Sequence, residues 1–267
     1  MAVFRADACG ITCMFITYLA VFYADYVVIN HLVIPTLSSS LWGAVNALLF
    51  NVVLFLLAFS HLRAVLSDPG IVPLPDTGLD FSDARSGQKY IENKANEWTI
   101  CMKCETYRPP RAHHCRTCRR CVRRMDHHCP WINNCVGEYN QKYFIQFLFY
   151  VGVAALYALI LVIISWVSDP NSDSHKSKHL RIMHSVILVI ECVMFELFVI
   201  AIGCDQMQAI LGDETAVEHV QKKGPLRPKI SKKLLLAEVF GKGPVYLWFC
   251  PLQFQPMNGG SSVIHPV

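Results

Sequence analysis

The chain has 267 residues, of which 53% are hydrophobic and only 16% charged, with a formal net charge of +4. That balance argues against an ordinary soluble domain, because the apolar residues also arrive in long unbroken blocks. Twelve cysteines raise a second class, the secreted disulfide scaffold, which the placement of those cysteines excludes below.

In chain order, a short stub carrying Arg5 leads into an apolar block near residues 11–34, and a second block follows near 41–62. Third and fourth blocks lie near 143–167 and 182–211. Each approaches or exceeds the roughly 20 residues that cross a bilayer as a helix. The first block has an alternative reading as a cleaved signal peptide. It lacks a small-x-small cleavage site, and Asp25 and Tyr26 sit where one would fall. Block two closes with Arg63 and runs into Asp68-Pro69-Gly70, a turn signal. Residues 71–87 are rich in Pro, Asp and Gly and read as an irregular linker, and 88–96 as a short helix. A dense Cys/His cluster comes next and meets the third block almost directly, which tethers it to the membrane face. Residues 169–179 read as a polar loop, and the end, 253–267, as loosely ordered.

The fold class expected is an α-helical membrane protein with four transmembrane helices and a cytosolic cysteine-rich domain between helices 2 and 3. Its units are 1–66, 67–142, 143–212 and 213–267. With four spans, both termini and the middle segment share a side, and that side holds 21 of the 24 Lys and Arg. The positive-inside rule makes it cytosolic. Seven of the cysteines fall within residues 101–135 on that side. Thiols stay reduced there, so metal binding or thiol chemistry replaces the disulfide reading.

The cluster reads Cys101-x2-Cys104-x9-His114-Cys115-x2-Cys118-x2-Cys121-x4-Asp126-His127-His128-Cys129-x5-Cys135, with His113 beside it. Thiolate and imidazole at such spacings are zinc ligands, and two closed tetrahedral sites need eight groups. Seven Cys and four His supply eleven, so three remain. A pure zinc scaffold is one reading, for which Arg116, Arg119, Arg120, Arg123 and Arg124 suggest a nucleic-acid or protein partner. A ubiquitin-ligase zinc module is another, but its pattern closes with a CxxC pair that is missing here. Against both stands Asp126-His127-His128-Cys129 at the membrane face. A free Cys near a His, with an Asp beside that, is the layout of an activated thiol nucleophile.

At this point the sequence resembles the DHHC protein acyltransferases. The resemblance rests on Asp68-Pro69-Gly70, the cluster, and Pro130-Trp131-x-Asn133-Asn134-Cys135-Val136-Gly137, and it covers nearly the whole chain. Asp213-Glu214-Thr215 and Val239-Phe240-Gly241 point toward the Golgi-associated branch. The resemblance implies a protein S-palmitoyltransferase, multi-pass in Golgi or ER membrane. Cys101, Cys104, His114 and Cys121 would hold one structural zinc, and Cys115, Cys118, His128 and Cys135 a second. Cys129 would be the nucleophile, His127 its base and Asp126 the group orienting His127. Palmitoyl-CoA would be the co-substrate. Its phosphates need cations, for which Arg108, Arg111, Arg123 and Arg124 are candidates, a charge run being more often a solvated face. The partners implied are the bilayer and proteins with accessible cysteines, not nucleic acid; self-association or association with related enzymes stays open.

Some residues keep two readings. Gly152, Ala154 and Ala155 leave room either for an acyl chain or for close helix packing. Asp25, Glu191 and Glu196 lie inside spans, where an acid marks function by default; structural roles are the preferred reading. Cys192 and Cys204 read as small packing residues. Two positions depart from the family pattern. Thr215-Ala216-Val217-Glu218 lacks the second Thr of Thr-Thr-x-Glu, and Leu235 stands where an Asn is usual. Weak activity or a differently packed tail is the expectation they raise.

Overall fold

A computed structural model describes residues 4–37, 40–74, 98–168, 175–222 and 227–252. The linker beyond residue 74, the expected helix at 88–96 and the end at 253–267 lie outside the described residues.

Among the described residues, four helices are long and apolar enough to cross a membrane, which makes the chain a membrane protein. The first is α1 (Ala8–Val27), which passes through a π-helical turn at Val28–Val33 into α2 (Ile34–Leu37). Asp7 caps α1 by accepting from the Gly10 N–H at 2.8 Å, which satisfies an otherwise orphaned donor. The widened turn stands just ahead of Pro35, whose ring crowds the carbonyl one turn earlier. Next come α3 (Leu41–Leu66), α4 (Gln141–Val167) and α5 (His175–Gly212). The expected loop at 169–179 is thus shorter, because the helix already begins at His175.

The outward faces of these helices carry large apolar side chains, such as Phe15, Phe22, Trp42, Leu197 and Val167. In water so broad an apolar surface would aggregate; in lipid it is the favourable face. Inside, α4 is packed most closely, with Phe144, Ala158 and Leu161 buried against Phe50 of α3 and Leu188 of α5. Gly152 faces Val199 and the Glu196 carboxylate of α5, which an added Cβ would meet at ordinary van der Waals distance. Asp25 accepts from Asn51 Nδ2 at 3.2 Å and so links α1 to α3.

Between α3 and α4 the described residues form three antiparallel two-stranded ribbons. They pair β1 (Thr99–Cys101) with β2 (Thr106–Arg108), β3 (His113–Cys115) with β4 (Arg120–Val122), and β5 (His127–Cys129) with β6 (Asn134–Val136). They are stitched to the end of α3. Asp68 Oδ1 accepts from the N–H groups of Gly70 and Ile71 at 2.8 and 2.7 Å, and Gly70, at φ +103°, turns the chain back. Gly70 O and Val72 N then bond to Arg123 N and Cys121 O. Asn134 Nδ2 faces the carbonyls of Ala64, Val65 and Ser67 at 3.0–3.2 Å, which gives the last turn of α3 the partners it lacks.

The tail contains α6 (Ala216–Val220), α7 (Lys232–Phe240) and a 3-10 turn at Val245–Phe249. It lies back along the start of α4. Lys142 Nζ donates to Phe240 O, Gln146 Nε2 to Trp248 O, and Tyr150 Oη to Phe249 O, at 3.1, 2.7 and 2.7 Å. Leu235 is buried in an apolar cluster with Ile210, Val239 and Phe240. The position that departs from the family pattern therefore packs by dispersion and burial.

Candidate active site and metal centres

The strand alternation of β5 organises the site. Successive side chains of a strand point to opposite faces, so His127 and Cys129 share one face and His128 takes the other. His128 stands opposite Cys135 across the ribbon. With Cys115 and Cys118 these two form a group whose ligand atoms all lie within 4.8 Å of one another. The Cys118 Sγ to Cys135 Sγ distance is 3.5 Å, and Cys118 Sγ to His128 Nδ1 is 3.4 Å. Cys101, Cys104, His114 and Cys121 form an equally tight second group, with His114 opposite Cys121 on the β3–β4 ribbon. A tetrahedron of Zn–S bonds of about 2.3 Å has edges of about 3.8 Å, so the spacing and the Cys3His donors of each group fit zinc. The two groups are interleaved, since β3 gives His114 to one and Cys115 to the other.

On the opposite face of β5, Asp126 Oδ2 lies 2.8 Å from His127 Nδ1. Burial opposes a charged His127. The Asp126 carboxylate and the Cys129 thiol within hydrogen-bonding reach outweigh it and push the imidazolium pKa up to about 9. Burial likewise opposes ionised Asp126, but its hydrogen bonds from His127, the Ala216 N–H and Gln206 hold its carboxyl below the usual range. Cys129 is buried, 4% exposed, in the same apolar cluster as Ile132, Val136, Phe144 and Phe147. The thiol thus sits where the polar ribbons meet the membrane core.

Two buried polar residues outside any motif contact this region. Gln206, buried at the end of α5, donates to Asp126 Oδ2 at 2.7 Å and accepts from Gln141 Nε2 at 3.2 Å. A glutamine late in an apolar block was its only signal. His61 of α3, also buried, has Nδ1 3.0 Å from Tyr18 Oη and Nε2 3.0 Å from Trp131 O. It fixes the turn that follows Cys129. The Ala216 departure is explained too: its backbone N–H, not a side chain, donates to Asp126 Oδ1 at 2.7 Å. Thr215 and Glu218 form a reciprocal capping box that aims this N–H.

The four arginines expected to meet phosphates are placed differently from one another. Arg111 is bidentate on Glu218 at 2.8 Å and also reaches Asp213 at 2.9 Å. Arg124 faces Asp213 at 3.6 Å and Glu238 at 3.3 Å. Both therefore tie the ribbons to the tail, together with Arg227, which bridges Asp213 and Glu238. Arg108 Nε donates to Thr99 Oγ1 within its own ribbon at 2.6 Å. The Arg123 backbone pairs with Gly70.

An apolar cavity opens between the four helices. Its enclosed volume is about 70 Å³, and it is partly continuous with the outside. Trp131, two residues from Cys129, forms part of its wall with Thr17, Phe50 and Phe147, and Ala154, Ala155 and Ala158 line it from α4. The small residues thus divide: Ala154 and Ala155 line the cavity, and Gly152 faces α5. Glu191 and Cys192 also line the cavity.

Residues 94–223 match the family model described as DHHC palmitoyltransferase. The chain is 36% identical over 255 residues to Palmitoyltransferase ZDHHC3 of Rattus norvegicus, covering 93% of this chain and 82% of that protein. It is 35% identical over 271 residues to Palmitoyltransferase ZDHHC7 of Mus musculus, covering 96% and 85%. To Probable protein S-acyltransferase 12 of Arabidopsis thaliana it is 32% identical over 223 residues, covering 79% and 76%. With both ligand groups assembled between the second and third spanning helices, the chain belongs to the DHHC palmitoyltransferase family.

Proposed function

We propose that this protein S-palmitoyltransferase works through an acyl-Cys129 intermediate in a two-step, ping-pong exchange. The observation that carries the reading is His127 and Cys129 on one face of β5, with Asp126 Oδ2 2.8 Å from His127 Nδ1, beside an apolar cavity between the spans. Cys129 passes its proton to His127, and its sulfur attacks the thioester carbonyl of acyl-CoA. The bond from the carbonyl to the CoA sulfur breaks, and CoA leaves as the thiol with the proton from His127. A cysteine of the protein substrate then attacks acyl-Cys129 in the same way. Thioester is exchanged for thioester at each step, so no energy source is needed.

Asp126 keeps His127 oriented and stabilises its charged form, the role of the acid in a catalytic triad. The alkyl chain lies in the cavity, with Ala154 and Ala155 leaving it room. The two Cys3His groups would hold zinc, which would supply a fold constraint, since four protein ligands would leave no position for water or substrate. With Arg111 and Arg124 engaged by tail carboxylates, Arg108 and Arg123 are the partners proposed for the CoA phosphates. The ribbons and tail face the cytosol, on the positive-inside argument, and the membrane is that of the Golgi or ER. Protein substrates present their cysteines from that side.

The test is incubation of the purified chain with labelled palmitoyl-CoA. Hydroxylamine-sensitive label is expected on Cys129, and Cys129→Ser is expected to remove it while zinc stays near two per chain. Zinc without label would turn the reading toward a binding scaffold. Loss of half the zinc in Cys129→Ser would make Cys129 a ligand.

A further inference from the structure

The mechanism above leaves two thiols of α1 unused. Cys9 and Cys13 are one turn apart at the start of that helix, with Cys9 exposed and Cys13 half-buried. The stripe of α1 that carries Cys13 faces the catalytic turn. Gly10, one turn before, approaches so closely that a Cβ there would lie 2.2 Å from Asn133 Oδ1. Asn133 Nδ2 in turn donates to Arg5 O at 2.7 Å. Thr17, one turn after Cys13, lines the apolar cavity beside Trp131. Met14, the next residue, packs against the cluster that contains Cys129. Cys13 is therefore held between the Asn133 contact and the cavity rim. Its electrostatic interactions extend to Cys9 and Cys129.

We propose that Cys13 is an acyl acceptor within the chain itself, loaded from acyl-Cys129. The inference rests on the reading of Cys129 as nucleophile. The Cys13 sulfur attacks the acyl-Cys129 carbonyl, and the bond from that carbonyl to the Cys129 sulfur breaks. Cys129 takes up the proton that Cys13 gives, through His127. One thioester replaces another, and no further reactant enters. The alkyl chain needs no passage through water, because Thr17, Ala20, Val21 and Ala24 of the same helix already line the cavity. The product is a chain whose first span is self-acylated and whose Cys129 is free for another acyl-CoA.

The experiment uses the full chain, zinc-loaded, in detergent with an alkyne-bearing palmitoyl-CoA, and locates hydroxylamine-sensitive label by peptide mass spectrometry. Label is expected on Cys129 and Cys13 of the wild type and on neither in Cys129→Ser with zinc retained. Cys13→Ser should lower the total thioester per chain and leave Cys129 labelled. A tagged Cys129→Ser chain mixed with wild type should stay unlabelled at Cys13, as expected for transfer within one chain. Label on Cys129 but never on Cys13 would overturn this inference and leave the nucleophile assignment standing. Label on Cys13 that survives Cys129→Ser would overturn the relay, since acyl-CoA would then charge Cys13 directly. A wild type without label on Cys129 would overturn both.

Discussion

At the scale of single residues, the site depends on how Asp126 is held. Its two oxygens accept from three directions: His127, Gln206 and the Ala216 N–H. His127→Ala should slow autoacylation by roughly 10²–10⁴-fold, the usual contribution of a positioned base, while zinc content stays unchanged. A loss of zinc would make His127 a ligand. Gln206→Leu should slow the same step by roughly 10–100-fold, the rate equivalent of about 1.5–3 kcal/mol for a hydrogen bond to a charged group. Because Gln206 acts only through Asp126 and His127, adding it to His127→Ala should cost little more. Single-turnover rates of the two mutants and their combination decide the matter, and fully additive defects would remove Gln206 from this chain of contacts.

Between elements, the interleaved ligands and the tail clasp set what depends on what. The β3 strand carries one ligand of each zinc group, and β4 returns Cys121 to the first. Metal binding is coupled to folding in such modules. Cys121→Ser should therefore cost both zincs, although it removes a ligand from one group only. Zinc measured against protein tests this, and a stable chain with one zinc would show that the ribbons fold independently. The clasp is the second case. Arg111→Ala leaves the fully buried Glu218 without its bidentate partner. Breaking a buried pair in this way costs about 3–5 kcal/mol. Undocking of α6 from the ribbons should follow, with loss of the Ala216 contact to Asp126. Faster proteolysis near residue 220 and slower autoacylation are expected together; a stable tail with normal activity would deny the clasp its role.

For the whole molecule, the helices and ribbons meet around one apolar cavity, and the cavity is where acyl-chain selection would be felt. Ala155 lines it from α4. Ala155→Phe should fill that space and depress autoacylation by palmitoyl-CoA far more than by octanoyl-CoA. Rates with the two donors at equal concentration test this. An equal fall with both would mean that the mutation disturbs packing and that the chain lies elsewhere.

Much was legible in the sequence because the signals are local. Four apolar blocks need no partners to be recognised, since the bilayer alone sets their length. Eleven candidate metal ligands were readable from the density of Cys and His. Their division into two sets of four came from the family resemblance, since spacing alone would also pair Cys118 with Cys121, which the fold puts in different groups. The Asp126–His127–Cys129 set was readable because a Cys near a His, with an Asp beside that, is the layout of an activated thiol. Tertiary structure alone decided what Arg111 and Arg124 do. Spacing marked them as cations near a thiol, but the carboxylates that engage them come from Asp213, Glu218 and Glu238, about a hundred residues away. The same holds for Gln206 and His61, whose partners lie 80 and 70 residues away in the chain, and for the separation of Gly152 from Ala154 and Ala155. A side chain's type states what it can bond to. Only the packed fold states which partner lies within the roughly 3 Å that a hydrogen bond requires.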